Sequence, residues 1–326
     1  MRDIKVVMTT VSYENKYMKR IIEDFAPAQV IILNNTDEQG IAEALKIADV
    51  AVIPGDLDQR FIDADNLKWI HCGHAGLNKS AKKEVFEKDL IVTSSAGRSA
   101  PALAEHIIMF MLSLSFNIDR LIDAQRAHKW GIEGQNELRS LVGKTLGIIG
   151  MGNNGIELAV RAKAMGMKVL AFDTKPETPA NTNKYYSTSQ GQNIDELLVE
   201  SDFVALCVPL TNKTHHMISG RELKMMKKTA CIINMARGAV IDEKVLIQAL
   251  KEGWIAGAGL DTFEQEPLSE NSDLWDLSNV YITPHCTPQV PDRTGVTVDI
   301  LSKNIRHYRS EEKMLNQLTQ DDMYTK

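Results

Sequence analysis

The chain has 326 residues, 44% of them hydrophobic and 25% charged, with four cysteines and a formal net charge of −6. That length suits two domains, and the composition is that of a folded globular protein rather than a disordered one. Mild acidity argues against a phosphate-backbone footprint, so no nucleic-acid partner is expected. The most apolar stretch, residues 107–112, stops at Ser113. A spanning helix needs roughly 18 apolar residues, so no membrane partner is expected either.

The opening, Met1-Arg2-Asp3-Ile4-Lys5-Val6-Val7, reads as a strand with no secretory apolar region behind it. In the first third, strand patterns fall at residues 4–8, 30–33, 50–53, 68–71 and 90–92, with helical patterns at 41–48 and 79–87. The alternation predicts parallel sheets joined by crossover helices. A longer helix is expected from about Pro101, because Leu103, Ile107, Phe110, Met111 and Leu114 recur at helical spacing. The polar stretch 131–140 that follows suits a linker or an interface loop. Strands are next expected near Thr145, Lys168, Phe203, Ala230, Gly257 and Val280. Six strands with helices between them match the count of a doubly wound dinucleotide-binding domain. About forty residues remain after His285, too few for a further domain. The helical segment 299–308 and the tail are therefore expected to return to the first domain. Cys72, Cys207, Cys231 and Cys286 share no metal-ligand or redox spacing, so the reading is a cytoplasmic chain without a disulfide framework and without a metal site.

The strongest local signal begins at Thr145. A short apolar strand runs into Gly150-Met151-Gly152-Asn153-Asn154-Gly155, and a helix is expected over 156–165. Glycines at this spacing permit a tight turn, so that a pyrophosphate can rest on the backbone amides of Gly152, Asn153, Asn154 and Gly155 at the helix N-terminus. A second strand ends in Asp173, eighteen residues beyond Gly155, where a ribose-binding acid belongs. A carboxylate there accepts from both ribose hydroxyls and repels a 2′-phosphate, which favours NAD over NADP; Lys175 weakens the preference slightly. An ordinary glycine turn, or a nucleoside cofactor of another kind as in methyltransferases, are the competing readings.

Chemistry in doubly wound sheets gathers at the carboxyl ends of the strands. Three later loops each offer one ionisable residue there: Arg237 in Asn234-Met235-Ala236-Arg237-Gly238, Glu266 after Leu260-Asp261-Thr262-Phe263-Glu264-Gln265, and His285 in Thr283-Pro284-His285. Carbonyl reduction by hydride needs a cation to hold a carboxylate and polarise the carbonyl, an imidazole to donate a proton, and a carboxylate to orient that imidazole. Taken singly, each has an ordinary alternative: a surface ion pair, a structural histidine, a solvated turn.

These loops, with Leu103-Ala104-Glu105-His106, the stretch from Val142 to Gly150, and Val208-Pro209-Leu210-Thr211 followed by Thr214, resemble the D-isomer-specific 2-hydroxyacid dehydrogenase family over about residues 73–285. The resemblance implies an α/β fold of two doubly wound parallel-sheet domains. A Rossmann NAD-binding domain, 102–289, would be inserted into a flavodoxin-like substrate domain, 1–101 and 290–326, with the cofactor in the cleft and a homodimer as the common assembly. It implies NAD-dependent interconversion of a 2-keto acid and a D-2-hydroxy acid. Arg237 would bind substrate, Glu266 would be the partner carboxylate and His285 the general acid/base. Asp261 would contact the nicotinamide carboxamide. Pro209 and Thr214 would line the adenosine side of the cofactor cleft, with Val208, Met235 and Ala236 also at the cofactor. His74, Ala75 and Gly76, in the turn from Gly73 to Leu77, would receive the substrate carboxylate. Trp130 resembles a dimer-loop tryptophan, with an ordinary interface or core aromatic as the alternative.

The chain departs from that pattern in places. Asn154 stands where the family usually has an apolar residue, and Pro288 and Pro291 stiffen the loop after His285. His74 and Arg98 add cations that suit a phosphorylated or dianionic substrate, with a surface position the expectation for Arg98. No added C-terminal regulatory module is expected. Glu266 argues against formate dehydrogenase chemistry, where a glutamine resembles the usual choice. A nucleotide-sensing protein on the same scaffold, like the corepressors, remains the alternative to an enzyme.

Overall fold

The computed structural model describes residues 2–286 and 290–325. Residues 2–99 with 290–325 form one compact unit, and residues 100–286 form another.

The first unit is built on β1 (Val6–Thr9), β2 (Gln29–Ile32), β3 (Val50–Ile53), β4 (Trp69–Cys72) and β5 (Ile91–Ser94). All pairings are parallel, in the order β2-β1-β3-β4-β5. Every residue of β3 and β4 is buried, the signature of parallel strands covered on both faces. Strand alternation then divides the side chains between two cores. Met8, Ala51, Ile53, Ile70 and Cys72 face one, while Val7, Val50, Val52 and Trp69 face the other. The helix Arg293–Ser310 closes the second face with Val298, Leu301, Ile305 and Tyr308. Tyr308 stacks on Trp69 at a ring separation of 5.2 Å. The late helix thus belongs to this unit because it supplies the apolar stripe that one sheet face lacks.

The second unit contains β6 (Thr145–Ile149), β7 (Lys168–Asp173), β8 (Lys184–Ser187), β9 (Phe203–Leu206), β10 (Cys231–Asn234), β11 (Gly257–Leu260) and β12 (Val280–Ile282). They form one parallel sheet in the order β12-β11-β10-β9-β6-β7-β8. Seven strands replace the six predicted. The extra one, β8, is Lys-Tyr-Tyr-Ser at the sheet edge, pairs with β7 alone among the described residues, and carries no β-branched residue to announce it. The helix from Ala100 ends at Phe116, where Asn117 takes a left-handed conformation (φ 46°). A second helix, Ile118–Arg126, continues at a bend of 64°. Asparagine tolerates that backbone region better than most residues. No single helix among the described residues is long and apolar enough to cross a membrane.

Candidate active site

The strands of the second sheet end in register. Phe172, Ile149, Leu206, Asn234, Leu260 and Ile282 pair across it as one row. The next residues, Asp173, Gly150, Cys207, Met235, Asp261 and Thr283, therefore emerge together along its carboxyl edge. The chain reverses its strand order between β6 and β9, the position where such sheets bind ligands.

The glycine loop leaves β6 at that position. Gly150 has φ 99°, a region open to glycine, and a Cβ on Gly155 would lie 2.1 Å from the Gly150 carbonyl oxygen. The helix Asn153–Ala164 starts after Gly152 with no side chain capping it, so its first amides point into the loop unclaimed by any cap. Gly152 and Asn153 are exposed, and Asn154 is half-buried. Asp173 closes the other side: its Oδ2 accepts from the Met151 N–H at 2.6 Å and its Oδ1 from the Thr174 N–H at 2.7 Å. An uncapped helix start, a close glycine contact and a neighbouring carboxylate fit a dinucleotide, whose pyrophosphate and ribose they would hold. Beyond β9, Val208 is half-buried and Pro209 exposed. The Thr214 hydroxyl donates to the Pro209 carbonyl at 2.6 Å and accepts from the Thr211 N–H at 2.8 Å, so it closes this turn.

After β10, Met235 and Ala236 are buried and Arg237 half-buried. Asn234 shapes their turn: its Oδ1 accepts from the Ala236 N–H and its Nδ2 donates to the Arg237 carbonyl, both at 3.0 Å. The Arg237 guanidinium donates to the Ala236 carbonyl at 2.7 Å. Glu266 accepts the Phe263 N–H at 3.0 Å through Oε1, and its Oε2 stands 2.6 Å from Nδ1 of His285. With Nδ1 engaged, Nε2 is the ring nitrogen that can exchange a proton with a substrate. His285 itself sits in the left-handed region (φ 49°), and its side chain is 41% exposed.

Asp261 is buried and grips the segment on both sides of His285. Its Oδ1 accepts from the Thr283 hydroxyl at 2.5 Å and from the Cys286 N–H at 3.0 Å. Thr283 also meets Nε2 of buried His106 at 3.1 Å. Burial lowers the His106 pKa, opposed by the charge of Asp261. On the far side of the Glu266 turn, His216 pairs with Glu264 at 2.7 Å, and Asp242 caps the helix Glu243–Lys251. His216, Asp242 and Glu264 present possible metal-ligand atoms within 4.8 Å of one another; His216 and Glu264 pair with each other, and Asp242 caps the helix. Asn234, Thr283, His106 and His216 were not singled out from the sequence. His106, Asn234 and Thr283 lie inside quoted motifs, but nothing in their spacing tells that their side chains hold the turns.

In the first unit, the turn after β4 keeps the backbone N–H groups of Ala75 and Gly76 out of any hydrogen bond among the described residues. The His74 carbonyl is fixed by the Ser95 N–H at 2.9 Å, and its ring lies 3.6 Å from Asp56. The surface position expected of Arg98 is incorrect: it is half-buried, and its guanidinium donates to the Gly73 carbonyl beneath this turn. Trp130 is fully exposed, which overturns the core-aromatic alternative. All four cysteines are free, and Cys286 is exposed. Residues 287–289, with Pro288 and the predicted domain boundary at 289, lie outside the described residues.

The family model for the D-isomer specific 2-hydroxyacid dehydrogenase NAD-binding domain matches residues 108–287. The chain belongs to the D-isomer-specific 2-hydroxyacid dehydrogenase family. This dehydrogenase is 35% identical over 305 residues to glyoxylate reductase of Thermococcus litoralis, covering 91% of this chain and 88% of that one. Among solved structures it resembles a glyoxylate reductase from Paecilomyes thermophila (TM-score 0.76, 25% identity, 97% of this chain and 99% of that one). It also resembles the NAD-complexed D-isomer specific 2-hydroxyacid dehydrogenase of Lactobacillus delbrueckii ssp. bulgaricus (TM-score 0.72, 25% identity, 97% of this chain and 100% of that one). The dehydrogenase is an NAD(P)-dependent oxidoreductase that acts on CH–OH donors and interconverts a keto acid and a hydroxy acid.

Proposed function

We propose that the enzyme reduces a small 2-keto acid to the D-2-hydroxy acid with NADH, using His285 as general acid/base. The observation that carries this reading is the 2.6 Å contact between His285 Nδ1 and Glu266, at the same sheet edge as the glycine loop. A bound nicotinamide supplies the hydride. Arg237 holds the substrate carboxylate and polarises its carbonyl, because a guanidinium fork matches two oxygens at once. Nε2 of His285 delivers a proton to the developing alkoxide, and Glu266 fixes the ring and opposes the charge it carries. Asp261 spends Oδ1 on the segment around His285, leaving Oδ2 for the nicotinamide carboxamide. In the first unit, the Ala75 and Gly76 amide N–H groups, unused among the described residues, suit a carboxylate.

The preference for NAD rests on Asp173, whose carboxylate borders the glycine loop where a 2′-phosphate would meet like charge. Exposed Met109, Phe116, Ile118, Ile122 and Trp130 support a homodimer through the two helices and the loop that carry them. A cytoplasmic setting accords with four free thiols. Glyoxylate is the first substrate to try, from the names of the relatives. The experiment is NADH and NADPH oxidation with glyoxylate, hydroxypyruvate, pyruvate and branched 2-keto acids. Turnover with none of them would overturn the proposal.

A further inference from the structure

In the first unit, Tyr13 and Arg98 both approach Gly73, and Arg293 is near enough for its charge to act on each of them. Arg98 donates to the Gly73 carbonyl, at the base of the turn that carries Ala75 and Gly76. The Tyr13 hydroxyl faces the same glycine, 2.7 Å from the place a Gly73 Cβ would take. Arg293 opens the helix Arg293–Ser310, and its charge acts on both Arg98 and Tyr13. Burial, followed by the like charge of Arg293, lowers the Arg98 pKa. Burial raises that of Tyr13, against the pull of both arginines. Neither arginine forms a salt bridge among the described residues. Asp292, the nearest acid in sequence, is taken up by the Tyr17 hydroxyl and by the Gly295 N–H it caps.

Two partly buried like charges repel each other, and desolvation adds to the cost. A structural role alone would be served better by one arginine and a neutral partner. Two guanidinium groups and a phenol donor near one another suit the oxygens of a carboxylate or phosphate. We infer that Tyr13, Arg98 and Arg293 form a second anion site beside the substrate turn, which selects 2-keto acids that carry a distal carboxylate or phosphate. This rests on the proposed reaction and on the assignment of the 74–76 turn to substrate.

The test compares kcat/KM within matched pairs, so that general damage to the enzyme cancels. 2-Oxoglutarate against 2-oxopentanoate reads a distal carboxylate, and 3-phosphohydroxypyruvate against hydroxypyruvate reads a distal phosphate. The wild type is expected to favour the dianion at least tenfold in one pair. Arg293→Gln and Tyr13→Phe should bring that ratio down by about tenfold, and Arg293→Lys should restore most of it. Arg98→Gln also releases the Gly73 carbonyl, so the two other positions decide if that variant fails to fold. A ratio near one in both wild-type pairs, or a ratio unmoved by Arg293→Gln and Tyr13→Phe, overturns the second site while leaving the reaction intact. A wild type that turns over no 2-keto acid overturns the reaction and this inference with it.

Discussion

Nδ1 of His285 stands 2.6 Å from Oε2 of Glu266, although nineteen residues separate them in the chain. The Glu266 side chain is not held by that contact alone, and the segment that carries His285 is fixed independently of it. Glu266 is fixed by the Phe263 N–H, and the segment around His285 by two hydrogen bonds to buried Asp261. The pair is pre-set by the turns that end β11 and β12, so little reorganisation is needed when a proton moves.

His285→Ala is expected to lower kcat/KM by about 10²- to 10⁴-fold while NADH binding persists. Steady-state turnover and fluorescence titration with NADH measure the two quantities separately. Glu266→Gln should produce a smaller loss of the same kind, because the amide still orients the ring but carries no charge. Near wild-type turnover in His285→Ala would remove the residue from the chemistry.

Asp173→Gly is expected to cut the NADH over NADPH ratio of kcat/KM by at least about tenfold. It also frees the Met151 N–H, so the KM for NADH should rise. An unmoved ratio would place the ribose elsewhere.

Gly155→Ala tests the close approach in the phosphate loop. The new methyl would sit 2.1 Å from the Gly150 carbonyl oxygen, a backbone atom that cannot step aside. The helix start must then move away from the loop, and the Kd for NADH should increase by about tenfold or more. Titration of the folded variant at wild-type affinity would count against a pyrophosphate at this helix.

Fully buried His71 sets an acid limit on stability. Its ring nitrogens meet Thr93 Oγ1 at 2.9 Å and Ser95 Oγ at 3.0 Å, and burial drives its pKa from 6.5 to about 3. Below pH 6.5 the unfolded chain takes up a proton that the folded chain refuses. The stabilisation is complete above that pH and is lost as pH falls toward 3, at up to about 1.4 kcal/mol per pH unit. Urea unfolding at pH 7 and pH 5 should show a loss that is smaller in His71→Gln by about 2 kcal/mol. Equal losses in the two proteins would show that this histidine does not control the acid limb.

Much of the architecture was legible in the sequence because parallel strands buried on both faces must be apolar throughout. β3, Val-Ala-Val-Ile, was predicted at its observed bounds for that reason. β8 was not, since an edge strand is half-covered and its Lys-Tyr-Tyr-Ser carries no such pattern. The break at Asn117 was equally silent: one left-handed residue redirects a helix without altering its hydrophobic spacing. The candidate chemistry was legible because Arg237, Glu266 and His285 each follow a strand, and strand ends are where side chains leave a packed sheet.

By itself, the sequence determined the alternation of strands and helices, the glycine loop with its acid, and the charged residues in the later loops. These are local properties, carried by residue type and short spacing. Only the tertiary structure decided that Asp173 hydrogen-bonds to the glycine loop and that Asp261 clamps the segment around His285. It also decided that Arg98 is half-buried and within range of the charge of Arg293, nearly two hundred residues away in the chain. A hydrogen bond or a like-charge pair between distant residues depends on strand register and helix placement. Those are set by the burial of the whole sheet, and no short stretch of sequence contains them.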